Sequence, residues 1–213
     1  MNEKEMESLK IVLIGESGVG KTSIISQFID HVFQDDQQST IGCTFSTKTV
    51  ECNNGKVLKF EIWDTAGQER YRSVTKMFYK DAAAVILVYD ISSKYSFEQL
   101  QKYWVPQVSE NSPKNSILAM MANKSDLIEK EQVDEGEARA YAKEIKALFA
   151  LTSAKNNFGV CDLFMEIAKK YSGADSASSI EENEETDEYK KIRAESVKVT
   201  KLSQSTMKRR GCC

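Results

Sequence analysis

Short apolar runs alternate with segments of helical spacing from Leu9 to Tyr171. Ile11–Ile14, Ala82–Tyr89 (AAAVILVY) and Ile117–Ala122 (ILAMMA) are nearly free of charge. Runs this short and this apolar suit strands buried on both faces of a parallel sheet. Thr22–Ile29, Phe97–Val108, Glu137–Leu148 and Cys161–Tyr171 carry helix-like spacing. Strand and helix in alternation predict a three-layer α/β fold. Phe45–Cys52 and Val57–Trp63 flank Asn53-Asn54-Gly55, a hairpin signal. With the short segment Phe149–Leu151, the expectation is a six-stranded, mostly parallel sheet with one antiparallel edge strand and about five helices.

The pattern stops after Gly173. Asp175–Glu188 holds seven acids and no base, and Lys190–Arg210 holds eight bases and one acid, Glu195. Apolar residues there are too sparse to offset the entropy of ordering. The expected organisation is a flexible N-terminus over 1–8, one folded domain over 9–172 and a flexible tail over 173–213. No internal repeat is visible.

Composition narrows the classes. The 213 residues allow one domain with a real core. A net charge of −3 gives no sign of nucleic-acid binding. No run approaches the roughly 20 apolar residues of a membrane span. The opening MNEKEMESLK lacks a signal-peptide core, so the protein is expected to start in the cytosol. The single histidine, His31, reads as a solvated helix cap, and no Ser-His-Asp or histidine metal cluster can be assembled. Of the five cysteines, Cys43, Cys52 and Cys161 read as ordinary buried thiols of a reducing compartment.

Chemistry enters with Gly15-Glu16-Ser17-Gly18-Val19-Gly20-Lys21-Thr22, a GxxxxGK[ST] pattern after a predicted strand and before a predicted helix. Glycines let successive N–H groups turn inward around phosphates, and the helix N-terminus adds partial positive charge. Gly15, Ser17, Gly18, Val19, Gly20, Lys21, Thr22 and Ser23 are the candidate phosphate-binding residues. Lys21 reaches the outer phosphates and the Thr22 hydroxyl is a candidate Mg²⁺ ligand. The loop alone does not name the base, since P-loop kinases and ATPases share it.

Asn123-Lys124-Ser125-Asp126 follows the strand Ile117–Ala122, at a carboxyl strand end where α/β sheets bind ligands. A carboxylate at Asp126 can accept from guanine N1–H and the exocyclic amine, a donor pair that adenine lacks. Ser153-Ala154-Lys155 offers N–H groups to the guanine oxygen, although the tripeptide alone has almost no specificity. Asp64-Thr65-Ala66-Gly67-Gln68 follows the predicted strand Val57–Trp63. Asp64 is a candidate for holding Mg²⁺ through a water, Gly67 N–H for sensing the γ-phosphate, and Gln68 for orienting the attacking water. Thr40, otherwise an ordinary loop hydroxyl, completes the Mg²⁺ shell in this reading. Thr40 and Gly67 then order two loops in the triphosphate state and release them on hydrolysis.

With five motifs in order, residues 9 to 171 resemble the Ras superfamily of small GTPases. Trp63–Tyr71 (WDTAGQERY), Thr40-Ile41-Gly42 and Val88-Tyr89-Asp90-Ile91 are similar to the Rab branch. Phe45–Glu61 and Arg70–Phe78 resemble the early-endosomal Rab subgroup. The resemblance implies the P-loop small GTPase fold, slow GTP hydrolysis with Mg²⁺, and Phe33 stacked on the base. It also implies an effector surface of Ile41, Gly42 and the apolar triad Phe45, Trp63 and Phe78, although those aromatics read alone could be core. Implied partners are a GTPase-activating protein, an exchange factor, a dissociation inhibitor, a prenylation escort and effectors, with the protein itself a monomer. Cys212-Cys213 after Lys208-Arg209-Arg210 reads alone as a disulfide or an unmodified end. The resemblance implies two geranylgeranyl groups there, a stable anchor where one lipid would be marginal. The protein would then cycle between cytosol and the cytoplasmic face of an intracellular membrane, with the early endosome the subgroup's compartment. Three positions depart from the family: Ala122 stands where glycine is usual, Leu151 where glutamate is common, and Phe78 where tyrosine is usual, which keeps the ring and loses the hydroxyl. A P-loop kinase and a nucleotide-locked binding module are the competing readings. Asn123–Asp126 argues against the first, and intact Gly67 and Gln68 against the second.

Overall fold

The computed structural model describes residues 6–52, 54–67 and 77–173. Gln68, the stretch Glu69–Tyr71, and Cys212 and Cys213 with the rest of the expected tail lie outside the described residues. The sheet has six strands in the order β2-β3-β1-β4-β5-β6. They are β1 (Glu7–Ile14), β2 (Cys43–Glu51), β3 (Val57–Thr65), β4 (Ala84–Asp90), β5 (Ile117–Asn123) and β6 (Leu148–Leu151). β2 pairs antiparallel with β3 and forms one edge, while β1, β3, β4, β5 and β6 are mutually parallel. Five α-helices cover the faces among the described residues: α1 (Lys21–Asp30), α2 (Lys94–Gln99), α3 (Val105–Asn111), α4 (Glu135–Glu144) and α5 (Val160–Tyr171).

Period-two burial along the central strands builds two cores. Leu9, Ile11 and Leu13 of β1 join Ile24, Phe28, Phe164 and Ile167 on the α1–α5 face. Val12 and Ile14 join Phe97, Trp104 and Ala138 on the opposite face. β4 is buried at every position, as its unbroken apolar run requires. Each fully buried Leu, Ile or Phe side chain contributes about 1.5–3 kcal/mol relative to exposure. The edge strand β2 buries only Val50 among its residues, hence its mixed polar sequence.

Several boundaries differ from the sequence pattern, each for a local reason. β1 starts at Glu7, paired with Leu58, two residues before the expected domain boundary. β3 continues to Thr65, so Asp64 lies in the strand and not after it. The predicted helix Glu137–Leu148 is instead α4 over Glu135–Glu144, because Asp134 caps it early by accepting from Glu137 N–H at 3.0 Å. Lys146 then turns the chain at φ 56°, and Leu148 pairs with Ala119 as strand. α2 begins at Lys94, capped by Ser93. His31 does cap α1, in the left-handed conformation at φ 55°, with its N–H on Gln27 O. The hairpin turn closes through Gly55 at φ 73°, whose N–H meets Cys52 O. Cys52 is buried as expected, whereas Cys161 is exposed and Cys43 intermediate.

Candidate functional site

The segments after β1, β3, β5 and β6 carry most of the described candidates, and the segment between α1 and β2 adds Phe33 and Thr40. Between β1 and α1 the loop from Gly15 to Gly20 runs close under β4. A Cβ on Gly15 would strike the Val88 carbonyl oxygen, and Gly15 holds φ 146°. Gly20 caps α1 at φ 95° with no side-chain hydrogen bond, and no acid lies in the first turn. The N–H groups there are left for an anion.

Lys21 lies beneath this loop, 6% exposed, with Nζ donating to Gly15 O at 2.9 Å and Glu16 O at 2.8 Å. Burial pulls its ammonium down to about 8, against the opposing charges of Asp64 and Glu16. A cation held at this desolvation cost gains most from an anion placed beside it.

Three oxygens meet next to it. Thr22 Oγ1 donates to Asp64 Oδ2 at 2.6 Å and lies 2.8 Å from Thr40 Oγ1, which is itself 3.2 Å from Asp64 Oδ2. They come from α1, the loop before β2, and β3. Asp64 is buried, and burial raises its carboxyl despite the bond from Thr22 and the charge of Lys21. Its second oxygen, Oδ1, is buried without a hydrogen-bond partner among the described residues. One carboxylate and two hydroxyls are a hard, oxygen-only donor set. The described residues offer no cluster of three His, Cys, Asp or Glu that could cage a metal. This suits a cation that keeps water and phosphate ligands, as Mg²⁺ does.

A cavity of about 330 Å³ extends from this cluster. Ser17, Gly18, Gly20, Lys21, Thr22 and Ser23 wall one end, with Thr40 and Gly67. Asn123, Lys124, Asp126, Ala154 and Lys155 wall the other, and Phe33 also lines it. Gly15, Val19, Asp64 and Ser153 stand behind the wall. Asn123 ties the two ends together: Nδ2 donates to Val19 O at 2.8 Å, and Oδ1 accepts from Thr152 Oγ1 and Ala154 N–H, each at 3.3 Å. Asp126 sits in a 3₁₀ turn (Ser125–Lys130) and accepts from Ser153 Oγ at 2.6 Å. Lys124 adopts φ 63°, and its Nζ is 2.7 Å from Asp90 Oδ2.

Asp90 was not singled out as a site residue in the sequence. The available signal was its place: it ends β4 in register with Asn123, so both side chains rise from one row at the carboxyl edge.

The aromatic patch lies on the β2–β3 edge. Phe45 and Trp63 are cross-strand partners with ring centroids 5.1 Å apart, and Phe78 lies 5.6 Å from Trp63. Phe45 is 51% exposed and Ile41 79%. Gly42 O accepts from Ala66 N–H, linking this edge to the loop of Gly67.

Comparison with known proteins agrees with this geometry. The family model described as "Ras family" matches residues 10–172. A "Ras-related protein Rab-5A" of Dictyostelium discoideum is 47% identical over 169 residues, 79% of this chain and 83% of that protein. The human "Ras-related protein Rab-22A" is 43% identical over 170 residues, 80% of this chain and 87% of its own length. A "Ras-related protein Rab5" of Nicotiana tabacum is 46% identical over 170 residues, 80% of this chain and 84% of its own. With phosphate loop, hydroxyl–carboxylate cluster and base-reading turn in one cavity, the chain belongs to the Ras family, in the Rab branch of GTP-hydrolysing switches that act in vesicle trafficking.

Proposed function

We propose that this protein is an endosomal switch whose GTP state is read through the Lys21–Thr22–Thr40–Asp64 cluster. The observation that carries the reading is continuity. One cavity joins a buried ammonium and an oxygen donor set at one end to the Asn123–Asp126 turn at the other. In this assignment Gly15, Ser17, Gly18, Val19, Gly20, Lys21, Thr22 and Ser23 hold the phosphates, and Asp126 accepts from the guanine edge. Ala154 N–H faces the base oxygen, with Asn123, Lys124, Ser153 and Lys155 supporting the base, and Phe33 stacks on it.

Thr22 and Thr40 would ligate Mg²⁺ directly, and Asp64 through a water. The ion supplies neutralisation of charge on the β- and γ-phosphate oxygens. Lys21 balances the γ-phosphate, Gly67 N–H donates to it, and Gln68 orients the water that attacks in line. In this reading hydrolysis is slow alone and an activating protein speeds it. Thr40 and Gly67 lose a ligand when phosphate leaves, and the edge carrying Ile41, Gly42, Phe45, Trp63 and Phe78 loosens with them. That edge is the effector surface.

Cys212 and Cys213 carry the lipid in this reading. Neighbouring Lys208-Arg209-Arg210 adds attraction to anionic lipid. A dissociation inhibitor, a prenylation escort, an exchange factor and an activator complete the cycle, with the protein a monomer. The test is single-turnover GTP hydrolysis by wild type and Gln68→Leu, with ATP as competitor. Hydrolysis slowed in the variant and insensitive to ATP is expected. Equal rates would remove Gln68 from the mechanism, and ATP competition would overturn the guanine assignment.

A further inference from the structure

Glu16, the second residue of the phosphate loop, is held from outside every motif. Trp104 Nε1 donates to Glu16 Oε1 at 3.0 Å across 88 positions of sequence. Trp104 is 1% exposed and ends a π-helical turn, Leu100–Trp104, between α2 and α3. There Val105 N–H reaches back five residues to Leu100 O. Pro106 supplies the cause. It has no N–H for the Lys102 carbonyl and its ring crowds that oxygen, so the helix widens by a residue just before it. The indole packs in the same buried cluster as Ile14, the last residue of β1 before the loop.

The backbone of Glu16 is a crossing point. Its carbonyl accepts from Lys21 Nζ at 2.8 Å. Gly67 packs directly against it: a Cβ there would lie 2.5 Å from Glu16 O and overlap Ser17 N. Whatever fixes Glu16 therefore fixes the surface on which Gly67 rests.

We propose that Trp104 is a positioning residue for the triphosphate state, acting through Glu16 to hold the phosphate loop in register with Gly67. The proposal deepens the switch reading above and rests on it. The Gly67 contact is needed only when a γ-phosphate is to be sensed, so loss of the Trp104–Glu16 bond weakens the GTP state more than the GDP state. The α2–α3 junction thereby becomes a lever on hydrolysis.

The test uses the full chain and the variants Glu16→Ala, Glu16→Gln and Trp104→Phe. Readouts are single-turnover GTP hydrolysis and release of fluorescent GDP and of a fluorescent non-hydrolysable GTP analogue. Glu16→Ala is expected to hydrolyse GTP about tenfold more slowly and to release the analogue about tenfold faster, as loss of one hydrogen bond to a charged group implies. GDP release should change less than about threefold, and Glu16→Gln, which keeps the acceptor but not the charge, should fall between Glu16→Ala and wild type. Trp104→Phe should track Glu16→Ala, and the double variant should be no worse than either alone. Glu16→Ala and Glu16→Gln carry the test even if Trp104→Phe fails to fold. Equal acceleration of GDP and analogue release, or multiplying single effects, would overturn the assignment. A hydrolysing wild type matched by Glu16→Ala overturns the role of Trp104 alone. A wild type that hydrolyses no GTP overturns the switch reading with it.

Discussion

Asn123 bridges the Val19 and Ala154 segments of the cavity, and truncating it should release nucleotide quickly. In Asn123→Ala three hydrogen bonds go: the one to Val19 O at 2.8 Å, and those from Thr152 Oγ1 and Ala154 N–H at 3.3 Å. Asn123 is 1% exposed, and Val19 and Ala154 are almost as buried, so water does not readily replace the amide. The Thr152 hydroxyl can rotate to another acceptor, but the Val19 carbonyl and the Ala154 N–H have no such freedom. An unpaired buried group costs roughly 1–3 kcal/mol, and the long bond to Ala154 belongs at the low end. The sum is about 3 kcal/mol. In the proposed assignment the two released loops grip the nucleotide, one at phosphate and one at base, so most of that loss appears in binding. At about 1.4 kcal/mol per decade, GDP should leave about a hundredfold faster. Displacement of fluorescent GDP by excess GDP in a stopped-flow instrument measures it. Thr152→Val, which removes one long bond and keeps the volume, should accelerate release by only about threefold. A change below about fivefold for Asn123→Ala, in protein with a native circular dichroism spectrum, would refute the bridging role.

Three further outcomes follow from the geometry. Gly67→Ala drives a Cβ into the Glu16 and Ser17 backbone, which has no rotamer to escape by; it should slow GTP hydrolysis at least about tenfold while GDP still binds, as rapid-quench and GDP-titration assays would show. Asp126→Asn should shift preference from guanine to xanthine nucleotide, and unchanged GTP affinity in competition binding would remove Asp126 from base reading. At the opposite end of the sheet Tyr171 OH donates to Glu7 Oε1 at 2.6 Å, and this bond, with burial, pushes the phenol up to about 12. A raised value means the contribution is complete below the unfolded value of 10 and lost as pH climbs through about 12. The gap in urea midpoint between wild type and Tyr171→Phe should therefore close over that range, and a constant gap would refute the bond.

The sequence made plain the candidate ligand-binding residues, and left obscure those that hold them in place. Gly15–Thr22 and Asn123–Asp126 are contiguous, and the chemistry of phosphate and guanine restricts each position, so pattern alone exposes them. The partners of these residues come from topology. Lys124 meets Asp90 because β4 and β5 are parallel neighbours in register at their carboxyl ends. Glu16 meets Trp104 because the α2–α3 junction packs below the phosphate loop. Neither pairing leaves a periodic trace. The ends of α4 differ from the apolar pattern for a related reason, since Asp134 and Lys146 set them by capping and backbone conformation and not by apolar spacing.

The same dependence on register changes the meaning of two of the departures from the family. Ala122 and Leu151 stand 29 positions apart in sequence and read there as separate anomalies. In the sheet they are cross-strand partners on β5 and β6, both buried in the cluster that includes Tyr89 and Phe97. A glutamate at 151 would place a carboxylate in that apolar cluster, where an unpaired charge is costly, whereas leucine beside an added methyl at 122 is mutually compatible. The pair therefore counts as one apolar replacement under the base-reading loops. Directly above it, Thr152 N–H bonds Ala122 O at 2.9 Å and Ser125 N–H bonds Thr152 O at 3.0 Å, so the backbone joining the two loops is retained. The replacement changes what lies beneath that ladder and leaves its hydrogen bonds in place, so the proposed guanine-reading loops stay joined.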